Sequence, residues 1–315
     1  MKPKIMISRC LGFDFCRYDG QTIRFELLEV MKDEIEFISV CPEEGIGLGT
    51  PRESLRLIKE KDEVELVQTK SKKYLTKEMR DYSKETLNRF RDIDGFILKS
   101  RSPSCGIKDV KVYSGMEKAP VIEKSAGIFA REIERTYPYL PVEDEGRLMN
   151  LRIREHFFTK LYTMFHFKNI AKKKSISDLS KFHARNKYLY FAYSQVQKNK
   201  LGAIVGNYNK TNIEQVLDEY FLEMVKLFSK IPTTKNYINA FHHIFGYFSK
   251  EMGREEKAFI LDLIDKYRND KIEKSSITSV LKIYSIKYNM EYLLHQTIFE
   301  PFPEKLLLLN NSGKD

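Results

Sequence analysis

Residues Gly95–Gly106, GFILKSRSPSCG, decide how the first half of this chain is read. The apolar run Phe96-Ile97-Leu98 predicts a short buried strand. It gives way at Lys99 to a Ser/Pro/Gly turn carrying Cys105. In an α/β protein the carboxyl end of such a strand opens into the crevice where ligands bind. The same grammar occurs twice upstream. Lys4–Ser8 (KIMIS) runs toward Cys10, and Ile35–Val40 (IEFISV) runs into Cys41 and Pro42. Three cysteines at three strand ends is a pattern that one shared site explains.

Outward from these strands, Thr22–Met31 and Thr76–Phe90 have helical spacing, and Leu55–Ile58 with Val64–Gln68 predict a hairpin. A strand at VKVYSG, a helix over Lys124–Arg135 and a last strand at Leu140–Glu143 follow. Alternating strands and helices predict an α/β domain with a mostly parallel sheet flanked by helices. The Gly- and Pro-rich segment after Cys41, PEEGIGLGTPRES, suits backbone lying close to a ligand. It matches neither G-x-G-x-x-G nor the P-loop, so a nucleotide phosphate cradle is not indicated there.

The chain has 315 residues, four cysteines and a formal net charge of +10. All four cysteines (Cys10, Cys16, Cys41, Cys105) lie in the first third. No segment approaches the roughly 20 apolar residues that span a bilayer. The start, MKPKIMIS, lacks the apolar core of a signal peptide, so a cytoplasmic protein with no membrane partner is expected. In that setting the thiols point to metal or chemistry rather than disulfides, the alternative being small buried hydrophobes. No cysteine pair has C-x₂₋₄-C spacing, which argues against mononuclear zinc. Widely separated thiolates suit an iron–sulfur cluster, and three ligands on a cubane leave one iron open as a Lewis acid. Cys16, in a loop one residue before Arg17, is expected near the strand-end trio but dispensable to it. Glu43, Ser102 and Ser104 stand beside the cysteines. They suit proton transfer and substrate orientation, or simply a solvated loop and satisfied turn amides.

Taken in order, SRCLG-x-x-x-CRYDG, VCPEE-GIGLGTPRE and LKSRSPSCG resemble the signature of the thiouracil desulfidase (TudS-like) family, over residues 1 to about 150. The resemblance implies a [4Fe-4S] cluster held by Cys10, Cys41 and Cys105, with one open iron. It also implies removal of sulfur from thiolated uracil without net redox change, with Glu43 as the acidic catalyst and Ser102, or less directly Ser104, as the serine. The family's usual Gly-Gly-Leu reads here as Gly45-Ile46-Gly47-Leu48-Gly49.

The second half differs. Residues 1–155 carry 29 basic and 28 acidic side chains, and the remainder carries 25 and 16. The basic excess therefore belongs to the C-terminal half, as a footprint for a polyanion or as a lysine-rich solvated surface. This half predicts helices almost throughout. Residues 151–170 form an Arg- and aromatic-rich helical bridge ending at Lys172–Lys174. Ser175-x-x-Asp178 opens a helix toward Ser194, and Thr211-x-x-Glu214 opens one toward Ser229. Helical runs follow over Asn236–Phe248, Glu255–Arg268 and Ser276–Phe299, and LLLLNNSGKD reads as a loose tail. Lys181–Lys200 and FHHIFGYFSK (Phe241–Lys250) interleave basic and aromatic residues, as stacking on splayed bases requires, although Tyr188, Tyr190 and Phe191 at helical spacing more often form core.

The stretches KFHARNKYLYFAYS, LGAIVGN, FHHIFGYFSK and HQTIFEPFPEKL resemble the YbgA-type helical domain. In fusions of this kind the enzyme domain is similar to tRNA 4-thiouridine desulfidases, which implies thiolated tRNA as partner. Charge alone nominates Lys181, Arg185, Lys187 and Lys250 as nucleic-acid contacts. The expected organisation is a catalytic domain over 1–152, a helical linker over 153–174 and an all-α C-terminal domain over 175–315. Free thiouracil or a thiouridine nucleotide is the alternative substrate. A redox-sensing nucleic-acid-binding protein without catalysis is the reading from another class.

Overall fold

The computed structural model describes residues 1–208 and 212–307. Four parallel strands make one sheet in the order β2-β1-β6-β9: β1 Lys4–Ser8, β2 Glu36–Val40, β6 Gly95–Leu98 and β9 Val142–Asp144. Strand β1 is central because both its faces are apolar. Ile5, Met6 and Ile7 are all fully buried, as a continuous hydrophobic run in a parallel sheet requires. Each such side chain contributes about 1.5–3 kcal/mol by leaving water. The connection from β1 leads to β2 on one side, while β6 lies on the other. The strand order therefore switches direction between β1 and β6, where α/β sheets place their ligands.

The expected parallel sheet is thus present, but it takes only four of the nine strands among the described residues. The others, β3 Leu55–Glu60, β4 Glu63–Gln68, β5 Lys73–Tyr74, β7 Val110–Tyr113 and β8 Val121–Ser125, form a second sheet ordered β5-β4-β3-β7-β8. Apart from the parallel β3–β7 pair, that sheet is antiparallel. The β3–β4 hairpin was legible in its alternation. The ladder β7–β8 was not, because residues 121–125 carry helix-compatible Glu and Lys but pair edge to edge with β7.

Helices α1 Leu27–Met31, α2 Pro42–Gly45, α3 Thr76–Arg89 and α4 Ile128–Thr136 complete this part. Two predicted helices are shorter than expected. Helix α4 begins at Ile128 rather than Lys124 because β8 claims the preceding residues. Of Thr22–Met31 only α1 is helical. The Ile23 N–H and the Thr22 hydroxyl both donate to the Cys10 carbonyl, at 2.8 and 3.1 Å, and hold that segment extended.

The chain then becomes helical: α5 Leu151–Ala171, α6 Ile176–Tyr193, α7 Gln195–Gly206, α8 Ile213–Leu227, α9 Thr234–Phe248, α10 Arg254–Arg268, α11 Lys274–Lys287 and α12 Glu291–Leu294. The Ser175 hydroxyl accepts from the Asp178 N–H at 3.2 Å, as its capping spacing predicts. Thr211 and the residues of the tail beyond 307 lie outside the described residues. Asn212 caps α8 by accepting from the Glu214 N–H at 3.0 Å. The predicted helix over Ser276–Phe299 breaks at Asn289, whose φ is +51°. No helix among the described residues is long and apolar enough to cross a membrane.

The described residues divide into two compact units, Met1–Phe157 with residues 305–307, and Phe158–Glu304. The division falls inside α5, whose Met164 and Phe167 belong to the helical core. The core of the first unit gathers Met6, Phe96, Leu98, Val112, Phe129 and Ile133, and reaches as far as Cys105.

Candidate active site

Cys10, Cys41 and Cys105 follow three neighbouring parallel strands, β1, β2 and β6. All three line one cavity of about 380 Å³ at the carboxyl ends of the sheet. The backbone keeps the strand ends in step, with Ser8 paired to Val40 and the Arg9 N–H donating to the Val40 carbonyl at 2.8 Å. Cys16 also lines this cavity and is 1% exposed. The sequence placed it near the trio, and the fold draws it inside. Its sulfur, that of Cys41 and a Glu44 carboxylate oxygen lie within 4.8 Å of one another.

The buried thiols are all pushed toward their neutral form. The hydrogen bond to Cys10 is the main cause that raises Cys16 to about 12; burial adds to it and the Cys41 contact opposes it. Cys41 is raised by its Cys16 contact and by burial, and Cys105 by burial above all. Such thiols ionise when a bound cation supplies the compensating charge, because a metal-coordinating thiol is deprotonated outright. Sulfur donors are soft and favour thiophilic iron or zinc over hard cations, while the Glu44 oxygen beside Cys16 and Cys41 adds a hard donor.

Opposite the sulfurs stands Glu43, in the first turn of α2. Its Oε1 accepts from the Ser104 hydroxyl at 2.7 Å and the Ser102 hydroxyl at 3.4 Å. Its Oε2 accepts from Arg52 Nε at 2.9 Å and lies 2.8 Å from Arg52 Nη2. Arg52 Nη2 also donates to the Cys16 carbonyl at 2.9 Å. This ion pair is buried, with side chains 5% and 14% exposed. Burial is the largest single influence on Arg52 and would lower it, but the charge of Glu43 and its hydrogen bond, with Cys41 and Glu44 adding, together hold the guanidinium above its usual range. Sequence reasoning missed Arg52 altogether. Its only signal was its place in the TPRE segment, nine residues from its partner.

The loop of Ser102–Cys105 is fixed from several sides. Ser102 Oγ accepts from the N–H groups of Ser104 and Cys105, both at 3.2 Å. The first N–H groups of α4 grip the loop carbonyls: Ile128 donates to Pro103 at 3.1 Å, and Phe129 and Ala130 donate to Ser104 at 3.0 and 3.2 Å. The orphan donors of the helix start are thereby satisfied, and the loop is nailed down. Gly127 allows the approach, since a Cβ there would stand 2.4 Å from the Ser104 carbonyl oxygen. Before the loop, the Ser100 N–H donates to Glu145 just beyond β9 at 2.7 Å, and Lys99 pairs with the same carboxylate.

The nominated nucleic-acid residues do not gather in the same way. Lys181 and Arg185 are exposed and four apart on α6, hence on one face. Lys187 lies about 200° further round, its Nζ over the rings of Tyr188 and Tyr292 at 5.7 and 5.8 Å. Lys250 follows α9 in a short 3₁₀ turn. Tyr188, Tyr190 and Phe191 are 5%, 0% and 6% exposed, so they are core and not a stacking platform. In FHHIFGYFSK, Phe241 and Phe248 are buried, while Tyr247 is exposed.

A parallel sheet whose strand ends bring four cysteines and a restrained carboxylate into one cavity defines an α/β protein with a thiol-rich ligand site. The 2-thiouracil desulfurase family matches residues 5–145, and a family of unknown function, DUF1722, matches residues 187–303. The uncharacterized protein YbbK of Bacillus subtilis is 34% identical over 109 residues, which is 32% of this chain and 72% of YbbK. The uncharacterized protein YbgA of Escherichia coli K12 is 28% identical over 133 residues, 42% of this chain and 78% of YbgA. Among solved structures, the [4Fe-4S]-dependent thiouracil desulfidase TudS is 27% identical with a TM-score of 0.38, covering 47% of this chain and 93% of that one. The chain belongs to the TudS-like thiouracil desulfidase family, with a YbgA-type helical region joined behind the desulfidase domain.

Proposed function

We propose that this protein is an iron–sulfur-dependent desulfidase that converts 4-thiouridine in tRNA to uridine in the cytoplasm. The observation that carries the reading is the meeting of three strand-end cysteines with Glu43 and Ser102 in a single cavity, the fully buried Ser104 being bonded to the same carboxylate. The residues fit the cofactor, because the donors are soft sulfurs, two buried and that of Cys10 half-buried, in the wall of a cavity with space for a further group. When bound by Cys10, Cys41 and Cys105, a [4Fe-4S] cluster supplies a Lewis-acidic iron with affinity for a thiocarbonyl sulfur.

The chain's own residues account for the rest. The net change is C=S plus water to C=O plus hydrogen sulfide, so protons move and electrons do not. Glu43 is the group placed to take a proton from water as its oxygen bonds the ring carbon, and to return one as the C–S bond breaks. Arg52 and the two serine hydroxyls fix that carboxylate from both oxygens, so it needs no reorganisation. Ser102, in the cavity wall, can in turn redirect its hydroxyl to the base, while the fully buried Ser104 holds the carboxylate. The excess of positive charge in residues 156–315 supports an RNA substrate. The matched family's description, 2-thiouracil desulfurase, favours a free thiolated base or nucleotide as second reading.

Anaerobically purified protein should contain iron and acid-labile sulfide, and release sulfide faster from thiolated tRNA than from free 4-thiouracil. The reverse order would select the second reading. Sulfide release from neither, with a cluster present, would leave a sensor. A Cys41→Ala variant that kept full iron content and activity would sink the assignment.

A further inference from the structure

Next to the cysteine cavity lies a second one, of about 620 Å³, on the face of the five-stranded sheet. The two share Ser54, Leu55, Arg101 and Pro103 in their walls, so they adjoin. The second cavity carries Arg56, Arg101, Lys111 and Lys124 against one carboxylate, Asp109. Its cations are ordered by the sheet itself. Lys111 on β7 stands directly opposite Lys124 on β8, and the pairing of Leu57 with Val112 puts Arg56 of β3 beside Lys111. Three positive side chains therefore form a row across three strands.

Like charges placed opposite one another destabilise a sheet, and little here relieves them. Asp109 approaches Lys124 only to 3.9 Å. Arg56 is held by its stack on Tyr113, 4.0 Å from the ring centroid, and donates to the Met116 carbonyl at 3.1 Å. Arg101 and Lys111 have no ion-pair partner among the described residues. Arg101 also bridges the two cavities from a left-handed backbone conformation, φ +58°, which a non-glycine residue adopts at some cost. A preorganised cationic row leading out of a base-sized cavity has the chemistry of a phosphate seat.

We infer that this second cavity holds the phosphate attached to a thiolated nucleoside whose base occupies the cysteine cavity. The inference rests on the desulfidase reading and names the substrate class further: a phosphorylated nucleoside, either a free nucleotide or a residue within RNA. It also places a phosphate contact in the catalytic unit itself, separate from the bulk charge of the helical half.

The test uses the cluster-loaded full chain and the double variant Lys111→Glu/Lys124→Glu, which leaves every residue of the cysteine cavity in place. With 4-thiouracil, kcat/KM should stay within about twofold of the parent. With 4-thiouridine 5′-monophosphate and with thiolated RNA it should fall by ~10-fold or more, chiefly through KM, as loss of charge-assisted phosphate contacts requires. A fall with the monophosphate alone identifies a terminal phosphate as occupant, and a fall with RNA identifies the backbone. Equal losses on all substrates, or no loss on either phosphorylated one, overturn the inference. If the parent releases sulfide from nothing, the desulfidase reading has failed, and calorimetry then judges the seat alone. Tighter binding of uridine 5′-monophosphate than of uridine, with the excess lost in the variant, sustains it. Equal binding of the two overturns it.

Discussion

The two units use their polar and aromatic residues in opposite ways. In the first, near-neutral in charge, polar groups from three separate segments converge on one carboxylate at the cavity. Arg52, Ser102 and Ser104 are all joined to Glu43 by hydrogen bonds no longer than 3.4 Å. In the helical unit the aromatic rings turn inward, with Tyr190, Tyr220, Phe241 and Phe248 fully buried, while the cations are left spread over the surface. Chemistry needs convergence, because a reacting atom must meet several groups at once. Attraction of a polyanion needs only a field, which dispersed charges supply. The contrast teaches that the first unit is broken by single substitutions and the second only by cumulative ones.

The largest effect should come from Glu43→Gln. The amide keeps the size and can still accept from Ser104, but it cannot take a proton. Turnover should fall by about 10²–10⁴-fold with iron content unchanged. If activity survives, measured as sulfide released per minute, the carboxylate is a scaffold and the convergence has another purpose. Gly127→Ala comes next. Its Cβ collides with the Ser104 backbone, so it should lower the thermal stability of the first unit by about 1–3 kcal/mol and reduce iron loading, with the helical unit unaffected. Equal iron loading in parent and variant would show that the loop tolerates displacement.

The smallest effect belongs to the helical unit and to pH. His183 on α6, bonded to the Tyr220 hydroxyl at 3.1 Å, is lowered to about 4 by burial, with the charges of Lys198 and Lys187 adding. The unfolded chain binds that proton near pH 6.5 and the folded one only near 4. Stability is therefore fully present above 6.5 and declines as pH falls through that window, by on the order of 2–3 kcal/mol. Denaturant titration of the parent and of His183→Gln between pH 7 and pH 4 should show the slope in the first and its reduction in the second.

Features that depend on local spacing were legible in the sequence. The strand KIMIS, the cap at Ser175 and the cysteines at strand ends all announce themselves within a few residues. Features that depend on pairing through space were not. Arg52 is ordinary until Glu43 faces it, and residues 22–25 look helical until the Cys10 carbonyl claims their donors. In the second sheet the β3–β4 hairpin and the strand β7 were legible, but β8 and its pairing with β7 were hidden for the same reason. Cys16 was placed in a loop, but only the folded loop brings its sulfur to the others.

The grip of α4 on the loop of Ser102–Cys105 also sets a timetable. During synthesis Cys10 and Cys41 emerge early, yet the carbonyls that orient Cys105 find their donors only when Phe129 and Ala130 have been made and coiled. Roughly the first 130 residues must leave the ribosome before the last sulfur can be presented correctly. Any group that the thiol cavity takes up during synthesis therefore meets either an open, incomplete cradle or a finished one, with the folding of a nine-residue helix as the moment of change.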